Sequence, residues 1–208
     1  MKHSAITPAG ARAWLVDLDG TLYHAAPVKL AMAAELALGG LRVAPWLRRF
    51  RAEHERVRVD ETHEGDPFAR QIARAALELE VEPATLLGVV DEWMHRRPGK
   101  WLRRARRRGF FAELVRVRAG GGKTALVSDY PARVKLAALG AESLFDHVVA
   151  AGEPGGPARL KPAPDGYLAA AARLGVTAGE CLVIGDRDDA DGEAARRAGM
   201  AFRRIAGL

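Results

Sequence analysis

The sequence predicts an α/β protein with a parallel β-sheet core and an α-helical segment inserted after the first strand. In the second half of the chain, short apolar runs of four or five residues alternate with helical patterns. This alternation is typical of parallel sheets that helices cover on both faces. A similar apolar run stands near the start, and roughly 80 residues of helical pattern separate it from the others. We therefore expect one sheet, interrupted by a long helical insertion and then resumed.

The first strand is predicted at residues 14–17, where an apolar run stops at an acidic turn that contains glycine. In residues 26–108 apolar side chains recur at three-and-four spacing, which predicts helices. Proline and glycine break this stretch at four places, so we expect about four helices. The stretch contains three histidines without the spacing of metal ligands, and we expect them at the surface or at the rim of a site: His54, His63 and His95.

After residue 109 the pattern alternates between helix and strand. We predict helices at 110–117, 131–139, 164–174 and 193–198, and strands at 124–128, 147–150, 181–184 and 201–205. Residues 1–25 and 109–208 would then form an α/β core domain, and residues 26–108 a helical cap domain. Because two linkers join these parts, we expect the cap to open and close over the sheet and to exclude water from a site there.

The composition agrees with this class and excludes several others. Hydrophobic residues make up 49% of the 208 residues and charged residues 28%, which excludes disordered, collagen-like and fibrous chains. No apolar run approaches the roughly 20 residues that a membrane span needs. Met1 to Ser4 do not begin the apolar core of a signal peptide. With one cysteine the chain forms no internal disulfide, and we expect a cytoplasmic protein without membrane partners.

The formal net charge of +6 favours an anionic partner: a nucleic acid, a phosphorylated metabolite or a membrane surface. The basic stretch, residues 96–108, holds eight lysines and arginines and no acid. We interpret it as a solvated helix face, and the alternative is a nucleic-acid or polyphosphate-binding patch. Because no aromatic platform is interleaved with it, we do not expect nucleic acid as a partner.

Polar residues follow the first four predicted strands, at the sheet edge where parallel α/β proteins bind ligands. They are Asp17-Leu18-Asp19-Gly20-Thr21-Leu22, then Ser128-Asp129, then Lys161-Pro162 ahead of a helix, and finally Gly185-Asp186-Arg187-Asp188-Asp189-Ala190-Asp191. Carboxylates from two loops repel each other unless a cation lies between them, and such oxygen ligands suit Mg²⁺. One aspartate can attack phosphorus while a second protonates the leaving group. A hydroxyl and an ammonium can hold the remaining phosphoryl oxygens.

These four motifs, in this order, resemble those of the haloacid dehalogenase superfamily. The resemblance covers about residues 10–25 and 109–208, and the helical insertion stands where that superfamily places a cap. It implies a Rossmann-like core fold. An aspartate two positions after the nucleophile is absent from the dehalogenases of the superfamily, so Asp19 indicates phosphoryl transfer.

The resemblance also implies a role for each motif residue. Asp17 matches the nucleophile, Asp19 the general acid and base, and Thr21 the residue that supports their loop. Ser128 and Lys161 match the phosphate-binding positions. The Mg²⁺ ligands are matched by Asp17, the backbone carbonyl of Asp19, Asp186 and Asp191, with Asp189 as the alternative to Asp191. Asp129 stands where the superfamily often has asparagine, and we expect it to point away from the phosphate or to bear on substrate choice.

Together these observations predict a Mg²⁺-dependent phosphomonoester hydrolase that acts on a small phosphorylated metabolite through an aspartyl-phosphate. One alternative is a sugar-phosphate mutase of the same superfamily. The other is a non-catalytic protein that binds an anion or nucleic acid through the basic cap. The sequence names no substrate, and it leaves open whether the protein is a monomer or a homodimer.

Overall fold

The structure is a computed structural model, and it describes residues 11–60, 62 and 65–205. The expectations for Met1 to Ser4 and for His63, and the first ten residues of the predicted core domain, lie outside these ranges. Within them, no helix is both long enough and apolar enough to cross a membrane.

Five parallel strands form one sheet in the spatial order β3-β2-β1-β4-β5. In chain order they are β1 (Ala13–Asp17), β2 (Lys123–Ser128), β3 (His147–Ala150), β4 (Cys181–Gly185) and β5 (Ala201–Arg204). The predicted parallel sheet is therefore confirmed, and each strand end lies within one residue of its expected place. β1 lies at the centre: Asp17 is in register with Val127 of β2, and Val16 with Ile184 of β4.

Helices cover both faces of the sheet, which explains why the strands are continuously apolar. Successive side chains of a strand point to opposite faces, so Trp14 and Val16 pack on one side and Ala13 and Leu15 on the other. The first side is covered by α6 (Arg108–Ala119) and α7 (Arg133–Leu139), and the second by α8 (Asp165–Leu174) and α9 (Glu193–Arg197). Trp14 stacks on Phe110 of α6 with ring centroids 6.3 Å apart.

The inserted segment contains five α-helices within the described residues, where about four were expected. They are α1 (Ala25–Gly39), α2 (Ala44–Val59), α3 (Pro67–Leu79), α4 (Pro83–Val90) and α5 (Gly99–Ala105), and a π-helical turn, Asp91–Arg96, follows α4. Each break expected from proline marks the start of a helix: Pro45, Pro67 and Pro83 lie in first turns, and Pro98 directly precedes α5. Proline fits there because the first turn needs no backbone N–H donor.

α2, α3 and α4 pack around a common apolar cluster that also contacts the sheet part of the molecule. Phe50 of α2 meets Phe68 of α3 edge to face, with ring centroids 5.9 Å apart. The same cluster contains Ala151 and Leu160, from the loops that follow β3. The inserted helices therefore rest on the carboxyl edge of the sheet.

The expectation of surface or rim positions was wrong for His54 and His95, which are 6% and 2% exposed. Both are buried beside groups that can partner an imidazole. His54 Nδ1 lies 3.1 Å from Gln71 Oε1, and its ring stacks on Tyr130. His95 Nδ1 lies 3.4 Å from Asp91 Oδ1.

The two connections between the inserted helices and the sheet run side by side in opposite directions. His24 N donates to Ala105 O at 2.9 Å, and Arg107 N donates to Leu22 O at 3.0 Å. Between these bonds, Tyr23 and Arg106 form an isolated antiparallel bridge. The linkers therefore form a short paired neck beside the loop after β1.

Candidate active site

Asp17 ends the central strand and is 7% exposed. Thr21 Oγ1 donates to Asp17 Oδ2 at 3.0 Å and so helps to fix the orientation of this carboxylate. The loop turns at Gly20, whose φ of 92° lies in the left-handed region. A Cβ atom at Gly20 would lie 2.1 Å from Asp186 Oδ2, so only glycine lets the loop approach the second acidic motif.

Three carboxylates converge beside this loop: one oxygen from each of Asp17, Asp186 and Asp191 lies within 4.8 Å of the other two. Asp191 is 2% exposed, and Tyr167 OH donates to its Oδ1 at 2.8 Å while Arg187 N donates to Oδ2 at 3.2 Å. Asp189, the alternative from the sequence, is exposed and forms an ion pair with Arg187. The structure therefore places Asp191, and not Asp189, in the carboxylate cluster.

Lys161 is the cation of this cluster and is 5% exposed. Its Nζ lies 2.5 Å from Asp17 Oδ1 and 2.8 Å from Asp191 Oδ1. Burial disfavours the charged ammonium, but the Asp17 and Asp191 carboxylates outweigh burial and raise the pKa of Lys161 well above its usual value. Lys161 therefore places a positive charge directly beside Asp17.

The carboxylates hold more negative charge than Lys161 neutralises. Burial raises the pKa of Asp17 well above its usual value; Lys161 opposes this shift and Asp191 adds to it. Burial and the Asp191 charge also raise the pKa of Asp186. Three acids around one ammonium thus form a site that would be stabilised by a further cation.

The carboxylate of Asp19 has partners of its own outside this cluster. Lys135 Nζ donates to both of its oxygens, at 2.7 and 2.8 Å, and Tyr23 OH also donates to Oδ1. Burial disfavours the charged carboxylate, but the Lys135 charge and the hydrogen bonds from Lys135 and Tyr23 outweigh it and lower the pKa of Asp19. The candidate acid and base is therefore ionised in this arrangement.

Sequence reasoning missed Lys135 and Tyr23, which are both 6% exposed. A signal for Lys135 does exist: it lies on the face of α7 that carries the buried Leu136 and Leu139, where an apolar side chain is expected. A lysine at such a position needs a buried partner.

Ser128 and Asp129 follow β2 at the same edge. Ser128 is 2% exposed, and its Oγ accepts a hydrogen bond from Tyr130 N at 3.2 Å. Asp129 Oδ1 accepts from Lys161 N at 3.1 Å, so the carboxylate supports the lysine loop. The inserted helices reach the same loop: Arg58 Nε of α2 donates to Lys161 O at 2.7 Å, a contact that no sequence pattern indicates.

Three of the eight basic residues of the basic stretch are paired with acids. Arg96 bonds to Asp91 and Arg97 to Glu92, while Lys100 reaches Glu35 of α1 at 2.9 Å. Arg107 turns inwards and donates to Gly20 O from two nitrogens, at 3.2 and 3.3 Å. These pairings support the interpretation as a structural helix face.

A parallel sheet that carries a carboxylate cluster, a buried lysine and a serine at its carboxyl edge defines an α/β enzyme for anionic substrates. A sequence model of haloacid dehalogenase-like hydrolases matches residues 11–199. The chain therefore belongs to the haloacid dehalogenase-like hydrolase family.

A relative of known activity indicates which reaction this member of the family catalyses. The chain is 30% identical over 201 residues to fructose-1-phosphate phosphatase YqaB of Escherichia coli (strain K12), covering 89% of this chain and 92% of the relative. With the family match, this makes the protein a phosphatase, a hydrolase of phosphoric monoesters.

Solved structures show the same fold. L-2-haloacid dehalogenase from Xanthobacter autotrophicus aligns with a TM-score of 0.64 and 21% identity, over 95% of this chain and 78% of the other. A haloacid dehalogenase-type phosphatase from Thermococcus onnurineus aligns with a TM-score of 0.55 and 22% identity, over 93% and 86% of the two chains. At these identities the likeness shows the fold alone.

Proposed function

We propose that this phosphatase is Mg²⁺-dependent, hydrolyses a small phosphorylated metabolite, and works through an aspartyl-phosphate on Asp17. The observation that carries the proposal is the position of Asp17: one oxygen accepts from Thr21, the other from Lys161, and two more carboxylates lie beside it. A carboxylate oriented from both sides is suited to attack phosphorus.

The donor set fits a small divalent cation. Asp17, Asp186 and Asp191 offer close carboxylate oxygens, and burial raises the pKa of Asp17 and Asp186, as expected for acids that lack enough positive charge. Oxygen donors of this kind suit Mg²⁺, and the backbone carbonyl of Asp19 would complete the protein ligands. When bound there, Mg²⁺ supplies positive charge beside the transferring phosphoryl group.

In the first half-reaction, Asp17 attacks phosphorus and forms a new P–O bond. The bond between phosphorus and the ester oxygen breaks, its electron pair stays on that oxygen, and Asp19 delivers the proton that the oxygen needs. Lys161 Nζ and Ser128 Oγ donate hydrogen bonds to the phosphoryl oxygens. Lys135 keeps Asp19 ionised in this arrangement, so Asp19 first takes up a proton from solvent and then passes this proton to the ester oxygen.

In the second half-reaction, Asp19 removes a proton from water as the water oxygen attacks the phosphorus of the aspartyl-phosphate. The P–O bond to Asp17 breaks, which releases phosphate and restores the carboxylate. The ionised state of Asp19, which its contacts with Lys135 and Tyr23 favour, is the state that this step requires.

The proposal includes the division into a core domain, residues 1–25 and 109–208, and a cap domain, residues 26–108. The paired linkers at Tyr23 and Arg106 support this division, because two adjacent linker segments can act as one hinge. The contact from Arg58 to the Lys161 loop supports closure of the cap over the site.

The test is phosphate release from a panel of phosphomonoesters, with and without Mg²⁺. We expect Mg²⁺-dependent release that Asp17→Asn lowers by at least 10³-fold, because the amide is a poor nucleophile. Asp188→Asn is the matched control, since Asp188 is exposed and, among the described residues, its carboxylate pairs only with Arg196. Release that survives Asp17→Asn would overturn the nucleophile assignment. Formation of an isomeric phosphate ester without free phosphate would indicate a mutase.

A further inference from the structure

A cavity of about 650 Å³ lies between the start of α1 and the end of α5, at the paired linkers. Gly20 and Asp186 are among the residues that line it. Asp186 belongs to the carboxylate cluster, so the cavity adjoins the place where the phosphoryl group would react. Its volume is in the range of small-molecule sites.

Three cations face this cavity, against one carboxylate. Lys29, Arg104 and Arg107 line it, and Asp186 is the one acid among its lining residues in the described part of the chain. Within that part, the side chains of Lys29 and Arg104 have no ion-pair or hydrogen-bond partner. The side chain of Arg107 donates to Gly20 O, and the carboxylate whose charge acts on it is Asp186.

Two other residues of the basic stretch do have an acid partner. Arg97 and Lys100 both reach Glu35 of α1. Lys29 and Arg104 thus face the cavity without a counter-charge among the described residues. Three more arginines of the basic stretch also lack an acid partner there, but they do not line the cavity: Arg103, Arg106 and Arg108. Cations gathered without acids are suited to bind an anion.

The remaining walls of the cavity are largely apolar. They come from the first turn of α1, including Pro27 and Val28, and from Trp101 and Ala105 of α5. Such a cavity suits a carbon skeleton that carries charge at its end, and it is larger than an inorganic ion needs.

We propose that this cavity receives the organic part of the phosphoester, and that Arg104 and Lys29 select substrates whose organic part carries a second anionic group, a carboxylate or a phosphate. This inference rests on the proposed function, since it assumes that the first phosphoryl group lies at Asp17. The phosphate ester of an uncharged sugar, such as the substrate named for the E. coli relative, would leave Lys29 and Arg104 without a counter-charge.

The first test measures binding without turnover. In the Asp17→Asn background with Mg²⁺, calorimetry compares 3-phosphoglycerate with glycerol 3-phosphate, which share a carbon skeleton and differ in the carboxylate. We expect the carboxylated ester to bind at least tenfold more tightly, and Arg104→Gln to remove most of that difference. The matched control is Arg103→Gln, because Arg103 is an exposed neighbour in α5 that does not line the cavity.

The second test measures kcat/KM for the same two esters in the chain without the Asp17 substitution. We expect the same preference, again lost in Arg104→Gln and kept in Arg103→Gln. Equal affinities for the two esters, or an equal loss for both in Arg104→Gln, would overturn the inference even if phosphate is released. Absence of phosphate release from both esters, with selective binding intact, would instead count against the proposed function.

Discussion

Lys135 shows how a residue outside the recognised motifs shapes the chemistry of the site. Its ammonium contacts both oxygens of Asp19, and the chain brings it there from α7, 116 residues further on. We expect Lys135→Met to lower kcat by tenfold to a hundredfold, because Asp19 loses the charge that keeps it ionised and in place. Lys135→Arg should restore part of the loss, and Arg133→Gln on the exposed face of α7 should change little.

A double-mutant cycle separates this role from a general structural one. If Lys135 acts through Asp19, adding Lys135→Met to Asp19→Asn should lower kcat by less than a further twofold. Equal losses in both backgrounds would show that Lys135 acts independently of Asp19.

Asp191 and Asp189 can be compared through the same substitution, aspartate to asparagine. Asp191→Asn removes one of the three carboxylates that would bind Mg²⁺ and an ion-pair partner of Lys161. We therefore expect the Mg²⁺ concentration for half-maximal activity to rise at least tenfold. Asp189→Asn removes only an exposed ion pair with Arg187 and should leave that concentration unchanged. A Mg²⁺ titration of phosphate release measures both. The assignment fails if the two variants behave alike.

Among the elements, the strands could be predicted almost to the residue, because two-sided burial makes each one a continuous apolar run. The helices of the inserted segment were harder. Their prolines look like terminators in sequence but stand at helix starts, and the π-helical turn Asp91–Arg96 continues α4 without any change in pattern. Periodicity shows that a segment is helical, but the number of helices in it depends on whether each proline ends one helix or begins the next.

Phe50 joins α2 to its neighbours, and its side chain is fully buried between Phe68 and Tyr130. We expect Phe50→Ala to lower the free energy of unfolding by about 3–5 kcal/mol, the usual cost of such a cavity. Leu38→Ala is the control: Leu38 of α1 is 89% exposed, so its change should stay within about 0.5 kcal/mol. Urea denaturation measures both. A small effect of Phe50→Ala would mean that the inserted helices do not share one core.

At the scale of the whole molecule, the motif residues could be expected at one edge because parallel strands bring their carboxyl ends together. The contacts of Lys135, Arg58 and Tyr167 could not, since they depend on how α7, α2 and α8 settle against that edge. Nothing in a local pattern reports those distances.

The burial of His95 makes the stability of the whole chain depend on pH. Burial, with a smaller contribution from Lys135, lowers the pKa of His95 from 6.5 to about 4. The unfolded chain therefore binds more protons between these values, and stability is lost as the pH falls through that window. We expect a loss of about 2 kcal/mol between pH 7 and pH 5 from this group alone.

Urea unfolding at the two pH values, for the natural chain and for His95→Gln, measures this contribution. The variant should lose about 2 kcal/mol less than the natural chain on acidification. An identical pH dependence in both proteins would show that His95 is not the responsible group.

The central position of β1 also sets when the site can first exist. Asp17 leaves the ribosome with the first strand, but Lys161, its ammonium partner, follows 144 residues later. At ordinary translation rates that interval is on the order of ten seconds. Throughout it, Asp17 has no lysine to orient its carboxylate and no completed fourth strand beside it. Contacts between residues so far apart in the sequence also form slowly. The nascent chain is therefore inactive for a long time before its candidate active site assembles.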